Sequence, residues 1–280
     1  MKSLFYVIKL IRPLNTITAG VAMLIASSIL SGFEDFTNVT YTILVVMAYT
    51  AGANSLNDAV DYLTDIVNRP DRPIPMGMVS RGVAITISFL LFLSGTLLAL
   101  KLNRDAVFIG VIIAMPIMVV YNTHLKGKPL IGNIAVSMVI AISFLFCGAA
   151  HQNFGPMWLP ALLSFGLTLL REIVKDVADL KGDLSVGLAT YPILAGVHKS
   201  QKLILFICFL VGLFASYPFL YGIYGIWYGI IVLIGVEIPI IIVVVLFVNN
   251  PGILSAKQSS KILKFSSIMG LIAIYAGSQL

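Results

Sequence analysis

A chain of 280 residues with 59% hydrophobic and only 11% charged residues, and a mean hydropathy of +1.01, lies far from the roughly 25% charged content of a soluble domain. That composition excludes a water-soluble enzyme and predicts an all-α, polytopic protein of the cell membrane. The formal net charge is +6, from 18 Lys and Arg against 12 Asp and Glu. It reads as membrane sidedness and contact with lipid headgroups, with no nucleic-acid partner and no protein partner expected.

Spans of roughly 20 mostly apolar residues are predicted over residues 14–32, 40–58, 82–101, 105–122, 131–150, 156–175, 200–218, 223–248 and 262–279. The first is long, lacks a small-residue cleavage site and runs at once into another span, so it reads as a membrane helix and not a cleavable leader. With the N-terminus on the cytoplasmic side, 16 of the 18 Lys and Arg fall on that side. Only Lys101 and Arg104 fall opposite, beside the acidic Glu34, Asp35 and Asp105. Adding or dropping one internal span would invert every later loop, so this asymmetry supports nine spans as well as the orientation. Cys147 and Cys208 lie inside apolar spans without CxxC spacing and read as packing residues. His124, His151 and His198 show no ligand spacing and receive no catalytic role. Glu237, deep in span eight beside Pro239, reads as a local structural hydrogen bond.

No linker or low-complexity tract divides the chain, which reads as one membrane domain over 1–280 with two internally related halves. Spans two and six each end in the same acidic pattern, DxxDxxxD. Asp58, Asp61 and Asp65 form the first copy, Asp176, Asp179 and Asp183 the second, and counterparts lie 118 residues apart (176−58, 179−61, 183−65). Half of the acidic residues are therefore spent on two patches. Each patch runs into a polar loop of roughly twenty residues, long beside ordinary helix connections of about 2–8 and so a candidate lid. On a helix, positions i, i+3 and i+7 share a face, which lets each triplet point into one space, and Asn54 and Asn57 extend the first face.

Carboxylates crowded this closely repel one another unless a hard cation such as Mg²⁺ lies between them, and a membrane raises the cost of uncompensated charge. Mg²⁺ prefers a few carboxylates with substrate phosphates completing its shell. Two such patches on one face suit a clamp for one diphosphate, with nearby Lys and Arg taking the remaining charge and pyrophosphate leaving more easily. In a membrane, the natural diphosphate is carried by an isoprenoid lipid.

Asn54-Ser-Leu-Asn57-Asp58-Ala-Val-Asp61-Tyr-Leu-Thr-Asp65, followed by Asn68-Arg69-Pro-Asp-Arg72-Pro73-Ile74-Pro75-Met-Gly77, resembles the first signature of the UbiA superfamily of intramembrane prenyltransferases. Lys175-Asp176-Val-Ala-Asp179-Leu-Lys181-Gly182-Asp183 with Thr190-Tyr191-Pro192 resembles the second. The likeness includes Arg12-Pro13-Leu14-Asn15 and the connection from Tyr121 to Asn133, and it runs the length of the chain. Met76 departs from the small polar residue many members place before the glycine. The resemblance implies a nine-helix bundle around a central cavity capped by cytoplasmic loops, and prenyl transfer from a diphosphate to an acceptor.

It further implies Mg²⁺ at Asn54, Asp58, Asp61, Asp65, Asp176, Asp179 and Asp183, with Asp58, Asp61, Asp176, Asp179 and Tyr121 catalytic. Substrate contacts fall on Arg12, Asn15, Asn54, Asn57, Arg69, Arg72, Lys126, Lys128, Arg171, Lys175 and Lys181. Arg171-Glu172-Ile-Val-Lys175-Asp176 looks most like the archaeal branch that makes digeranylgeranylglyceryl phosphate, an ether-lipid precursor. The donor would be geranylgeranyl diphosphate, and the acceptor a lipid phosphate, geranylgeranylglyceryl phosphate. Two alternatives stand beside it. One is prenylation of an aromatic acceptor such as 4-hydroxybenzoate, for a quinone. The other is a cation-coupled transporter, whose acids would lie near the bilayer midplane and not at span ends.

Overall fold

The computed structural model describes residues 2–31 and 35–278. Among them the regular structure is helical, and nine helices are long and apolar enough to cross a membrane: Pro13–Leu30, Phe36–Val60, Arg81–Ala99, Arg104–Leu125, Ile131–Ala150, Gly155–Ser185, Val197–Leu220, Ile226–Asn249 and Ile253–Ser278. These are spans one to nine, as many as the hydropathy and charge pattern predict. A helix is the natural solution where no water can satisfy the backbone. Leu97, Phe206 and Ile241 are more than half exposed on their helices, which suits side chains facing hydrocarbon.

Two spans differ most from their predicted limits. Span six continues ten residues past 175 to Ser185, because Ile173, Val174, Val177 and Ala178 keep a buried face through the charged stretch. Span nine begins at Ile253, nine residues before 262. Its polar first turns bury Ser255 and Ser259, which a hydropathy window reads as loop. The predicted ends at 32 and 279, and Glu34, lie outside the described residues.

The chain divides into two compact units, Met1–Lys126 with Ile142–Trp158, and Gly127–Ala141 with Leu159–Leu280. The first aspartate motif belongs to the first unit and the second motif to the second. In the first unit, helix Lys2–Leu10 packs Tyr6, Val7 and Leu10 with Ala59, Ile74, Val79 and Ala84. Lys9 Nζ donates to the Asp71 carbonyl at 2.8 Å, so this helix steadies the Pro-rich loop after the first motif. Arg12 then adopts φ +48, and Pro13, with its fixed φ and no N–H, opens span one. Spans two and three approach closely at Gly95, where a β-carbon would lie 2.6 Å from the Tyr49 ring. Ser88 Oγ also donates to the Gly52 carbonyl at 2.8 Å. Small residues let membrane helices come together this way.

Span four carries two π-helical turns, Phe108–Ala114 and Tyr121–Leu125. The second closes with Lys126 N–H donating to the Tyr121 carbonyl at 2.9 Å. Such turns re-aim side chains by adding a residue to the helical circuit. Cys147 and Cys208 are buried, as a packing role requires. His124 and His198 are exposed, whereas His151 Nε2 lies 3.1 Å from Ser27 Oγ. In the second unit, Glu237 Oε1 accepts from Ser216 Oγ at 3.0 Å, the structural hydrogen bond expected of it.

Candidate active site

The first motif does not lie on one unbroken helix. Span two ends at Val60, Asp61 sits at a break with φ −76 and ψ 4, and a short helix restarts over Tyr62–Asn68. Backbone bonds from Asp61 N–H to the Asn57 carbonyl and from Asp65 N–H to the Asp61 carbonyl carry the chain across the break. All three carboxylates are buried: Asp58 is 2% exposed, Asp61 8% and Asp65 1%.

Burying three negative charges demands compensation, and the fold supplies it from four directions. Arg12, between the N-terminal helix and span one, pairs with Asp58. Arg72, from the Pro-rich loop, pairs with Asp65 and lies 3.1 Å from Asp58, bridging the two. Arg69 Nη1 is 3.5 Å from Asp65. Lys126, just past the π-turn of span four, pairs with Asp61. Four cations against three carboxylates leave the cluster at +1 (4 − 3). Burial pushes the Asp65 carboxyl above the ordinary carboxylate range; Arg72 and Arg69 pull it back, while Asp61 adds to the rise. Burial, followed by the charge of Arg12, lowers the Arg72 guanidinium from its usual value.

Asparagines complete the cluster. Asn54 Nδ2 donates to the Ile11 carbonyl at 3.3 Å, holding the turn that carries Arg12. Asn57 Oδ1 accepts from Arg12 Nη2 at 2.9 Å, and its Nδ2 donates to Asn122 Oδ1 at 3.2 Å. Asn15 lies in the first turn of span one, half-buried and outside this network, and Tyr121 is half-buried at the start of the π-turn.

The second motif lies wholly on span six, so its aspartates keep helical spacing. Asp176 Oδ2 accepts from Asn133 Nδ2, at the start of span five, at 2.9 Å. Glu172, 7% exposed, accepts from Lys175 at 2.7 Å and from Arg171 at 3.0 Å. Lys128 and Lys181 are exposed. Gly127, at φ +86, lies against Leu188, and its carbonyl accepts from Ala189 N–H at 3.0 Å.

Sequence reasoning assigned no site role to Asn122 or Asn133. The signal open to it was a pair of amides flanking the short connection between spans four and five. Asn133→Leu would leave Asp176 without this donor, at a cost of about 1–3 kcal/mol. The variant is therefore expected to have a lower melting temperature in detergent. An unchanged melting temperature would mean that solvent already satisfies the Asp176 carboxylate.

Among the described residues, no group of three or more His, Cys, Asp or Glu converges to hold a metal ion by itself. The carboxylates are instead drawn toward their cations. Even so, the donor set suits a hard divalent cation that completes its shell with substrate oxygens. Asp65 Oδ1 is buried without a hydrogen-bond partner, and Arg72 lies against both Asp58 and Asp65, carboxylates of the kind that would hold such a cation.

Residues 15–268 match the UbiA prenyltransferase family. The chain belongs to that family. It is 32% identical over 270 residues to the digeranylgeranylglyceryl phosphate synthase of Methanopyrus kandleri, covering 96% of this chain and 97% of the relative. The synthase of that name from Pyrococcus furiosus is likewise 32% identical, covering 97% and 96%. A solved structure from work on digeranylgeranylglyceryl phosphate synthase in membranes superposes over the full length of both chains, with a TM-score of 0.78 and 33% identity. A UbiA homologue from Archaeoglobus fulgidus bound to GPP and Mg²⁺ shares the fold, with a TM-score of 0.67 at 15% identity over 96% and 99% of the two chains. As a UbiA prenyltransferase the chain is an all-helical, multi-pass membrane enzyme, and the transporter alternative falls away.

Proposed function

We propose that the chain transfers a geranylgeranyl group from geranylgeranyl diphosphate to the free glycerol hydroxyl of geranylgeranylglyceryl phosphate. The products are digeranylgeranylglyceryl phosphate, an archaeal ether-lipid precursor, pyrophosphate and a proton. The observation that carries the reading is the first cluster, where three buried carboxylates and four cations lie within reach of one another. Near-full-length similarity to synthases of that name supports the choice of acceptor.

The Asp58, Asp61 and Asp65 carboxylates, with Asn54, would hold Mg²⁺ in the first motif, and Asp176, Asp179 and Asp183 would hold it in the second. Mg²⁺ supplies, when bound, positive charge for the departing pyrophosphate. Arg12, Arg69, Arg72 and Lys126, the cations beside the first-motif carboxylates, would take the remaining negative charge of the diphosphate oxygens. The C1–O bond breaks with its electron pair leaving on pyrophosphate, and the acceptor oxygen forms the new ether bond at C1. Tyr121 offers its ring face to positive charge on the allylic carbon. Asn15 and Asn57 serve the donor, while Lys128, Arg171, Lys175 and Lys181 serve the acceptor phosphate. The Lys and Arg asymmetry supports a cytoplasmic side for the N-terminus and both motifs, and the prenyl chains lie among membrane lipids.

The test is purified protein with radiolabelled geranylgeranyl diphosphate, offered geranylgeranylglyceryl phosphate and 4-hydroxybenzoate in parallel. Label is expected in the phosphate lipid alone. Label in the benzoate alone would overturn the acceptor while leaving the metal chemistry standing.

A further inference from the structure

We propose that Asn122 is a positioning residue for the donor diphosphate, acting on Arg12 through Asn57; the inference rests on the donor-site reading above. Arg12 Nη2 makes two contacts of different character. One is the ion pair with Asp58, the bond that metal and diphosphate must compete with. The other is the 2.9 Å hydrogen bond to Asn57 Oδ1, which is neutral and can persist while Asp58 changes partner.

That second bond is useful only if the Asn57 amide is itself held. Asn57 Nδ2 donates to Asn122 Oδ1 at 3.2 Å, and Asn122 Nδ2 donates to the Met118 carbonyl at 2.8 Å. The chain of bonds therefore ends on the backbone of span four. Its polarity runs one way: flipping either amide would set donor against donor or acceptor against acceptor. Asn122 is 3% exposed, so water cannot readily replace it. Leucine offers neither end of this relay, and aspartate would offer an acceptor to Asn57 with no donor for Met118.

The relay also answers a backbone problem. Arg12 sits at φ +48, in a region where a residue with a β-carbon is uncommon, and side-chain contacts must hold it there. Asn122 lies in the π-turn whose next residue beyond is Lys126, the partner of Asp61. One short segment therefore orients Arg12 at a distance and presents Lys126 directly.

Calorimetric binding of inorganic pyrophosphate with Mg²⁺ to the full chain in detergent tests this as a double-mutant cycle. Asn122→Leu is expected to weaken binding about tenfold, the size of one hydrogen bond to a charged group. Asn122→Asp should fall between wild type and Asn122→Leu. Against an Arg12→Gln background, Asn122→Leu is expected to have no further effect, whereas a merely structural role would weaken binding equally in both backgrounds. An equal loss in both, or unchanged affinity in the single variant, overturns the proposal. If Asn122→Leu does not fold, Asn122→Ser, which is too short to span Asn57 and Met118, takes its place in the cycle with the same expectations. Wild-type protein that fails to bind pyrophosphate at all would overturn the donor-site reading itself, and the positioning role with it.

Discussion

Asp58→Asn is expected to reduce prenyl transfer by about a thousandfold or more, and EDTA to reduce it to background. Metal stabilisation of a leaving group is worth several kcal/mol, and each ~1.4 kcal/mol is a factor of ten in rate. Asp58 is the carboxylate that both Arg12 and Arg72 approach, so it orders cations besides the metal-binding role proposed for it. Alanine at this position confounds the two roles, since it removes the acceptor oxygens that both guanidinium groups use as well as the charge. Asparagine keeps the shape and one acceptor oxygen for them. The measurement is turnover normalised to monodisperse protein on size exclusion, with Asp179→Ala as the parallel loss in the second motif. Near-wild-type turnover of Asp58→Asn, or full activity in EDTA, would sink the metal reading.

Arg72→Met is expected to act in opposite directions on stability and on metal binding. Without metal, Asp58 and Asp65 lose the guanidinium that bridges them, and removing one partner of a buried pair costs about 3–5 kcal/mol. Asp65 feels this most, because one of its oxygens already lacks a hydrogen bond. A divalent cation can replace the missing charge, so Mn²⁺ should raise the melting temperature of the variant more than that of wild type, as linkage requires of a ligand bound more tightly by the folded state. Pyrophosphate affinity should fall at least tenfold, since the same guanidinium is proposed to serve the diphosphate. Arg72→Lys keeps the charge without the bridging fork and should recover part of the stability. Equal Mn²⁺ stabilisation of wild type and variant would show that Arg72 and metal do not compete for the same carboxylates.

Both outcomes depend on which side chains the fold brings together, and that is where the sequence stops being legible. The span count was readable because a bilayer imposes a length and an apolar composition on every helix that crosses it. The two DxxDxxxD patterns were readable because six acids in so greasy a chain have no bland use together. Their cationic environment was readable only as a composition: Arg12, Arg69, Arg72 and Lys126 could be named, but not matched to particular aspartates. The break at Asp61 was not foreseen, since helical spacing by itself favours a continuous face. Nor was the run of span six to Ser185, where a buried apolar stripe carries the helix beneath its charges.

What the sequence determined by itself is therefore the part governed by local rules: apolar length, charge sidedness, and the spacing of acids along one segment. What only the tertiary structure decided is the pairing of Arg12 with Asp58 and Lys126 with Asp61, and the amide relay from Met118 through Asn122 and Asn57 to Arg12. All but the bond from Asn122 to Met118 join residues more than forty positions apart. No periodicity records them, because they arise from the packing of helices and from the demand that every buried charge and amide find a partner.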